Sequence, residues 1–447
     1  MSGIATILKY QGYKISGCDS DLEQQSIENL RAIGCSIYQG NNTPACHDTS
    51  IDILVYSSAI KQNHPEIIAA QKNNIPTITR ALMLAELMRT KYSIAIAGAH
   101  GKTTTTSLIS HILMEAHFDP TIIIGGHLKT ISANAYLGNG DFLVAEADES
   151  DRSLLHLNST LAVVTNIDLE HLETYRDLDD IKKTFRHFLS NLPFYGKAIV
   201  CIDDQNIQSI LPIPHIKTIK YGIENWQHAD LYARDINLES DHSLFEVWYR
   251  GKKQPLGIIK LNMPGQHNVL NALAATTLAL DLGVTFENIA KALTSFKGIE
   301  RHFCYKGSFN GVEIFDDYGH HPKEILNTLI VARKRAHKDL TVVFQPHRYT
   351  RTHKLWDHFV ELFAQSKINH LIITDIYPAS ERPIDGITSK LLVEAIKQKN
   401  PNLSISYAPY EPHFETIKTK LLPILKPGDL LLLLGAGKVN NLAQELL

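Results

Sequence analysis

The sequence predicts an α/β protein built on parallel sheets. Short β-branched and aliphatic runs alternate with helical patterns along the whole chain, which is typical of parallel strands joined by helices. The apolar run Tyr92–Ala97 leads into a glycine-rich turn and then a helical pattern, as in nucleotide-binding proteins. The 447 residues are sufficient for two or three domains.

The pattern divides into three predicted domains, residues 1–89, 90–296 and 297–447. The first has predicted strands at Tyr13–Gly17, Ile37–Gln39 and Ile51–Ser57. The second has predicted strands at Tyr92–Ala97, Phe142–Ala145, Leu161–Thr165 and Ala198–Ile202. The third has predicted strands at Gly311–Asp316, Leu340–Phe344, His370–Asp375 and Leu430–Gly435.

The stretch Gly98–Thr106 (GAHGKTTTT) predicts a phosphate-binding loop at the start of a helix. Backbone N–H groups of such a loop, together with the helix dipole, bind a phosphate. Lys102 is placed to reach the β- and γ-phosphates of ATP, and the Thr103 hydroxyl to bind Mg²⁺. The other loop residues expected around the nucleotide are Gly98, Ala99, His100, Gly101 and Thr104.

Two more polar sets follow strands of the same domain. Glu146–Asp151 (EADESD) comes directly after one strand, and Thr165–His171 (TNIDLEH) comes at the end of another. Ligands of parallel sheets bind beyond the carboxyl ends of strands, and carboxylates suit hard divalent cations. We expect Glu146 and Thr103 to share one Mg²⁺ and His171 to help hold a second. The alternative is that EADESD is only an acidic loop that caps a helix.

The third domain offers two further sets at strand ends. Asp316–Pro322 (DDYGHHP) and Phe344–Thr352 (FQPHRYTRT) both follow predicted strands. Arg348 and Arg351 form a guanidinium pair that suits a carboxylate or a phosphate. His320 and the next histidine are candidate donors or bases, or merely packed side chains.

The composition limits the partners and the compartment. With 44 basic and 47 acidic residues the net charge is −3, which argues against nucleic acid as a main partner. No apolar run approaches the ~20 residues of a membrane span. Five scattered cysteines without pairing motifs predict reduced thiols and a cytoplasmic protein. A monomer and a homodimer are both compatible with the sequence.

Taken together, the motifs resemble those of one family. GAHGKTTTT, EADESD, TNID-x-EH-x-x-TY, GQHN-x-x-NALAA, DDYGHHP, FQPHRYTRT and ERPI-x-G-x-x-S are similar to the motifs of the Mur ligases over essentially the whole chain. The resemblance implies a three-domain architecture. A Rossmann-like N-terminal domain binds the UDP substrate, a central P-loop ATPase-like domain binds ATP, and a C-terminal Rossmann-like domain completes the site.

The resemblance also implies an activity. It predicts an ATP- and Mg²⁺-dependent ligase that joins L-alanine to the lactyl carboxylate of UDP-N-acetylmuramate through an acyl phosphate. Residues expected to border the nucleotide are His267, Asn268, Asn271 and Arg301. Residues expected to contact the muramyl-alanine end are Tyr318, His320, Arg348 and Arg351. The expected catalytic residues are Lys102, His320, Arg348 and Arg351.

The sequence departs from the family pattern at two places. The family usually opens with a strand and a glycine-rich turn for the UDP diphosphate, whereas this chain opens at Met1–Ala5 (MSGIA). A start codon assigned too late explains this better than true truncation does. Asp19 and Ser58 are candidate UDP-substrate contacts, with helix caps as the alternative. In Glu300–Phe303 (ERHF) a histidine replaces one of two usual arginines.

Two other functions stay open at this point. One is a related ligase that recycles murein peptides. The other is a nucleotide-binding protein without ligase activity, because the turn for the UDP diphosphate is incomplete. The substrates that each reaction requires distinguish these two functions from the L-alanine ligase.

Overall fold

A computed structural model describes residues 1–40, 48–128, 133–171, 173–379 and 381–447, which pack into two compact units. The first unit comprises Met1–Asn237, Leu244–Asn262 and His267–Lys297. The second comprises Leu238–Ser243, Met263–Gln266 and Gly298–Leu447.

The N-terminal part of the first unit contains two small parallel sheets. Its strands are β1 (Ser16–Asp19), β2 (Ser36–Gln39), β3 (Leu54–Tyr56) and β4 (Thr77–Thr79). Strand β1 pairs only with β2, and β3 pairs only with β4, within the described residues. The helices here are α1 (Ser2–Tyr10), α2 (Gln25–Ala32), α3 (Pro65–Lys72) and α4 (Arg80–Arg89).

The rest of the first unit is built around a ten-stranded sheet with the order β14-β13-β12-β11-β10-β9-β5-β8-β6-β7. Its strands are β5 (Tyr92–Ala97), β6 (Thr121–Leu128), β7 (Ala133–Tyr136), β8 (Phe142–Glu146), β9 (Leu161–Val164), β10 (Lys197–Cys201), β11 (Lys217–Gly222), β12 (Leu231–Leu238), β13 (Ser243–Tyr249) and β14 (Gly257–Leu261). Its helices are α5 (Lys102–Glu115), α6 (Leu178–Ser190), α7 (Gln205–Ile210), α8 (Gln266–Asp281) and α9 (Phe286–Ser295).

The register of the central strands brings three predicted motifs to one edge of the sheet. Strand β5 pairs in parallel with both β8 and β9. Ile96 lies opposite Glu146, and Ala97 lies opposite Val164. The phosphate loop, the EADESD segment and the TNIDLEH segment therefore all leave the sheet at the same edge, as predicted for parallel strands.

The second unit contains a six-stranded sheet with the order β15-β16-β20-β17-β18-β19. Its strands are β15 (Cys304–Phe309), β16 (Val312–Asp317), β17 (Leu340–Phe344), β18 (His370–Ile373), β19 (Ser404–Tyr407) and β20 (Leu430–Leu434). Its helices are α10 (Pro322–Arg335), α11 (Tyr349–Lys354), α12 (Trp356–Gln365), α13 (Ser389–Lys399), α14 (Glu415–Leu421) and α15 (Leu442–Leu446).

Strand β20 explains why two motifs of the second unit lie near each other. It consists of five buried leucines, as expected for a parallel strand covered on both faces. Leu434 lies opposite Asp317 of β16 on one side and Phe344 of β17 on the other. The DDYGHHP and FQPHRYTRT segments therefore begin at the same edge of the sheet.

The cysteines correct one expectation. Cys35, Cys201 and Cys304 are buried free thiols, as predicted. Cys18 is disulfide-bonded, so the prediction of five reduced cysteines is wrong for this residue. Cys46 lies outside the described residues. Within the described ranges, no helix combines the length and the apolar character needed to cross a bilayer.

Candidate active site

The phosphate loop requires glycine at two positions. Gly98 has φ +141° and Gly101 has φ +79°, values that favour glycine. A Cβ at Gly98 would lie 2.1 Å from Thr165 Oγ1, and a Cβ at Gly101 would lie 2.5 Å from Asn271 Oδ1. These glycines allow the loop to pack against neighbouring segments while helix α5 begins at Lys102. Thr104 is buried in the first turn of that helix.

Lys102 is a charged group inside this loop. Its Nζ lies 2.9 Å from Glu149 Oε1, and it also donates hydrogen bonds to the carbonyls of Gly98 and Ala99. Burial lowers the pKa of Lys102, but the nearby carboxylates of Glu149, Glu170 and Asp148 together outweigh burial and leave the pKa above its ordinary value. The ammonium therefore stays protonated at neutral pH, ready to interact with phosphate oxygens.

The segment after β9 holds the phosphate loop through His100. Asn166 Oδ1 accepts a hydrogen bond from the His100 N–H at 2.8 Å, and Asn166 Nδ2 donates to the His100 carbonyl at 2.9 Å. Thr165 Oγ1 donates to the same carbonyl at 2.6 Å. Asp168 Oδ2 lies 3.3 Å from His100 Nε2. The backbone of His100 is thus fixed on both its donor and its acceptor side.

Helix α8 brings two predicted asparagines to the start of α5. Thr105 Oγ1 donates to Asn271 Oδ1 at 3.3 Å, and Asn271 Nδ2 lies 3.5 Å from Asn268 Oδ1. Both asparagines are buried. His267, the third predicted residue here, is half-buried in the first turn of α8. Asn271 therefore lies beside the phosphate loop, with Asn268 next to it.

Glu146 and Thr103 are also brought together. Glu146 ends β8, its Oε1 accepts a hydrogen bond from the Gly125 N–H at 2.9 Å, and its carboxylate is hydrogen-bonded to the Thr103 side chain. Burial raises the pKa of Glu146 above its ordinary value. A buried carboxylate beside a hydroxyl offers oxygen ligands of the kind that Mg²⁺ prefers.

His171 belongs to a second cluster with two carboxylates that the sequence did not single out. Its Nε2 lies 3.2 Å from Glu149 Oε1 and 3.4 Å from Glu170 Oε2. Burial lowers the pKa of His171, but hydrogen bonds to Glu149 and Glu173 outweigh it and raise the pKa to about 9. Glu149 Oε2 is buried without a hydrogen-bond partner among the described residues.

Three side chains of this second cluster are close enough together to hold a divalent cation. One ligand atom each from Glu149, Glu170 and His171 lies within 4.8 Å of the others. Two carboxylates with one imidazole, beside a phosphate loop, form an oxygen-rich set, and the buried Glu149 Oε2 has spare acceptor capacity. The two carboxylates therefore fit Mg²⁺ as they stand, and His171, which is protonated at neutral pH in the absence of metal, would have to lose a proton to join them.

The two candidate UDP contacts have different surroundings. Asp19 ends β1, and its Oδ1 accepts a hydrogen bond from the Asp21 N–H at 3.0 Å, which closes a local turn. The Ser58 hydroxyl is hydrogen-bonded to Asp151 of the EADESD segment. Ser58 therefore lies next to a motif of the phosphate-loop edge, whereas Asp19 stabilises its own loop.

In the second unit, His347 lies at the centre of the predicted substrate residues, although the sequence did not single it out. Its Nδ1 lies 3.0 Å from an NH group of Arg351. A guanidinium only donates hydrogen bonds, so Nδ1 accepts and the proton of the neutral ring is on Nε2. Burial and the positive charges of His320, Arg351 and Arg348 lower the pKa of His347 to about 3.

His320 and Tyr318 complete this cluster. The His320 ring lies 5.7 Å from the His347 ring and 5.5 Å from the Tyr318 ring. Tyr377 stacks on His347 at 5.5 Å. The backbone N–H of Arg348 donates to the Tyr377 carbonyl at 2.8 Å, with Arg348 at φ +70°. The histidine that follows His320 caps helix α10 with Glu324, which gives it a structural role.

Arg301 is engaged within the second unit. It donates to the carbonyls of Gly435 at 2.7 Å and Gly437 at 3.1 Å. Its guanidinium lies 4.8 Å above the Tyr318 ring, and its Nε lies 3.5 Å from Asp316 Oδ2. These contacts make Arg301 a support for Tyr318 in this structure.

Comparisons with known proteins identify the family. The model of the Mur ligase middle domain matches residues 96–279, that of the Mur ligase family catalytic domain matches residues 1–92, and that of the Mur ligase glutamate ligase domain matches residues 300–437. A protein of Geotalea daltonii named UDP-N-acetylmuramate–L-alanine ligase is 47% identical, with 100% of this chain and 94% of that protein covered. A Syntrophotalea carbinolica protein of the same name is 45% identical with the same coverage.

Solved structures share the fold. The UDP-N-acetylmuramate-alanine ligase MurC of Thermotoga maritima matches with a TM-score of 0.80 and 23% identity, covering 100% of this chain and 95% of that one. A murein peptide ligase from Psychrobacter arcticus matches with a TM-score of 0.72 and 24% identity, covering 100% and 95%. Because three Mur ligase domain models match and the relatives align over its whole length, this chain belongs to the Mur ligase family, with the three-domain α/β architecture that its motifs predicted.

Proposed function

We propose that this chain is the ligase that joins L-alanine to the lactyl carboxylate of UDP-N-acetylmuramate in peptidoglycan precursor synthesis. The observation that best supports the ATP chemistry is the protonated Lys102 inside a glycine-rich loop, near the Glu146–Thr103 pair and the cluster of Glu149, Glu170 and His171. The choice of substrates follows the relatives of that name, which are 44–47% identical across this chain. We propose three functional domains at 1–89, 90–296 and 297–447.

The proposed reaction has two steps. The lactyl carboxylate attacks the γ-phosphorus of ATP, so that ADP leaves and an acyl phosphate forms. The amine of L-alanine then attacks the acyl carbon, inorganic phosphate leaves, and the amine loses a proton as the amide forms. Phosphoryl transfer of this kind needs positioning and neutralisation of charge more than covalent help from the protein.

Residues of the first unit have the nucleotide roles in this proposal. Lys102 neutralises the β- and γ-phosphates, and the N–H groups of the glycine-rich loop bind the same oxygens. Thr103 and Glu146 would hold one Mg²⁺, and His171 with Glu149 and Glu170 would hold a second; when bound, Mg²⁺ would supply positive charge against the phosphates. The remaining proposed nucleotide contacts are Gly98, Ala99, His100, Gly101, Thr104, His267, Asn268 and Asn271.

In this proposal, residues of the second unit bind the amino-acid substrate. Arg351, aligned by His347, and Arg348 suit a carboxylate of the substrate or product. His320 and Tyr318 lie beside them. Arg301 is proposed to contact a phosphate, and Asp19 and Ser58 are proposed to contact the UDP moiety. Each chain carries every residue that the proposal uses, so it holds for a monomer or a homodimer.

The proposed compartment is the cytoplasm, where ATP and sugar nucleotides are made. Neither a nucleic acid nor a lipid has a part in the proposed reaction.

Omission of single substrates tests the proposed function. Phosphate release by the purified chain should require UDP-N-acetylmuramate, L-alanine, ATP and Mg²⁺ together, and Lys102→Ala in the same assay should release almost none. Equal turnover with L-Ala-γ-D-Glu-diaminopimelate and no need for L-alanine would instead identify a recycling ligase. Nucleotide binding without phosphate release in any combination would leave a binding protein.

A further inference from the structure

A pair of side chains outside all of the predicted motifs holds the segment that supports the phosphate loop. We propose that Asp204 and Asn206 are positioning residues for the nucleotide site, because they clamp the backbone of Ile167, whose two neighbours in the chain contact the loop. The proposal rests on the proposed function for its nucleotide. It adds the prediction that ATP affinity is set partly at the start of helix α7.

The clamp fixes both polar groups of one residue. Asp204 Oδ2 accepts a hydrogen bond from the Ile167 N–H at 3.3 Å. Asn206 Nδ2 donates a hydrogen bond to the Ile167 carbonyl at 2.7 Å. The Ile167 side chain is only 1% exposed, so the residue is held by its backbone and by its packing.

The residues on either side of Ile167 contact the phosphate loop. Asn166 bonds both the N–H and the carbonyl of His100, and Asp168 lies 3.3 Å from the His100 ring. A shift of Ile167 would therefore move the two side chains that hold His100. The effect should reach the phosphate-binding N–H groups without a direct contact between the clamp and the nucleotide.

Asp204 is itself firmly held. Its Oδ1 accepts a hydrogen bond from the Ile207 N–H at 2.8 Å and caps helix α7, which begins directly after strand β10 and its short connection. An asparagine caps helices about as well as an aspartate does. Asp204→Asn therefore keeps the cap with its single oxygen, while its NH2 group, which cannot accept a hydrogen bond, faces the Ile167 N–H.

The chain offers a matched control for each clamp residue. Asp203 makes the same kind of bonds in another place, since its carboxylate accepts from the N–H groups of Ile223 at 2.7 Å and Asn225 at 2.8 Å. Gln208 lies on the same helix as Asn206, and its Nε2 donates to the Ile202 carbonyl at 2.7 Å. Neither residue contacts Ile167 through these bonds.

The experiment compares Asp204→Asn and Asn206→Asp with the controls Asp203→Asn and Gln208→Glu in the full chain. Calorimetry measures the Kd of AMP-PNP in the presence of Mg²⁺. Hydrogen exchange measures how fast the backbone amides of residues 161–171 exchange, and thermal unfolding gives the Tm. The loss of one such hydrogen bond corresponds to about a tenfold change in Kd. We expect about a tenfold weaker binding of AMP-PNP and faster amide exchange in the clamp variants, and neither change in the controls. Each clamp variant should have a Tm close to that of its paired control.

Two results would overturn the proposal. One is an unchanged Kd for AMP-PNP in both clamp variants. The other is an equal weakening in the control variants, which would indicate a general loss of stability. A wild-type chain that binds AMP-PNP and forms no amide would refute the proposed function and leave this test intact, because none of its readouts uses ligase turnover.

Discussion

Lys102 Nζ and Glu149 Oε1 lie 2.9 Å apart in the interior of the first unit, and the same carboxylate oxygen lies 3.2 Å from His171 Nε2. The buried Glu149 carboxylate thus links the Lys102 ammonium to the cluster that contains His171. In the absence of nucleotide, Glu149 supplies the negative charge that keeps Lys102 protonated. In the proposed complex with ATP, phosphate oxygens would take the place of the Glu149 carboxylate beside Lys102.

Replacement of Lys102 by alanine should remove almost all turnover. It deletes a charge that faces the phosphoryl group in the transition state, and the loss of one such contact typically lowers kcat by about 100- to 1000-fold. Lys183→Ala, at an exposed position of helix α6, is the control and should leave turnover unchanged. A Lys102→Ala enzyme with near-normal kcat would show that the loop does not take part in catalysis.

Gly101→Ala should weaken nucleotide binding far more than Gly283→Ala does. Both glycines have positive φ, +79° and +88°, so both alanines bear a similar backbone strain of ~1–2 kcal/mol. Only the Gly101 Cβ would meet another group, Asn271 Oδ1 at 2.5 Å, whereas nothing lies within 4 Å at Gly283. Calorimetry with AMP-PNP measures the difference, and equal effects of the two variants would contradict the geometry of the loop.

His347 should remain neutral well below pH 6, with its proton on Nε2. Its folded pKa of about 3 lies below the ordinary value of 6.5, so the unfolded chain binds a proton in this interval that the folded chain does not. His347 therefore makes the free energy of unfolding fall as the pH drops from about 6.5 towards 3. Nitrogen NMR shifts of the ring identify the tautomer, and His347→Gln should flatten this part of the stability profile. A ring that titrates near pH 6.5 would refute the assignment.

Arg351→Gln should raise the KM for L-alanine and leave the KM for ATP nearly unchanged. The substitution removes a guanidinium that His347 aligns and that the proposal places at a carboxylate. A charge-assisted pair of this kind is worth about 1.5–3 kcal/mol, or roughly 10- to 150-fold in KM. Arg335→Gln is the control. Arg335 pairs with Glu313 at an N–O distance of 3.0 Å and does not belong to the His347 cluster. A similar KM for L-alanine in the two variants would remove Arg351 from the substrate site.

The sequence predicted the parts of the fold that depend on local patterns. Continuous apolar runs marked the buried parallel strands, and strands β5, β8 and β9 agree with the predicted bounds to within one residue. Because ligands bind at the carboxyl ends of parallel strands, the same runs located the phosphate loop and its two neighbouring motifs. The same reasoning predicted Arg348, Arg351 and His320 as site residues, and their roles stay predictions.

The residues that sequence reasoning missed depend on packing between distant segments. In the run EADESD every carboxylate has a similar local context, and only the fold shows that Glu149 turns towards Lys102. His347 was one polar residue among several until the structure placed it between Arg351 and Tyr377. Asp204 lies 37 positions from its partner Ile167, and no local pattern joins them.

Transfer of an oxygen label tests the central claim, that this phosphate loop drives amide formation through an acyl phosphate. UDP-N-acetylmuramate labelled with ¹⁸O in its lactyl carboxylate is incubated with L-alanine, ATP and Mg²⁺, and the released phosphate is analysed by mass spectrometry. The account predicts ADP as the nucleotide product and one carboxylate oxygen in each phosphate, because that oxygen bridges carbon and phosphorus before the amine expels it. Amide formation with unlabelled phosphate, or with AMP and pyrophosphate as products, would contradict it.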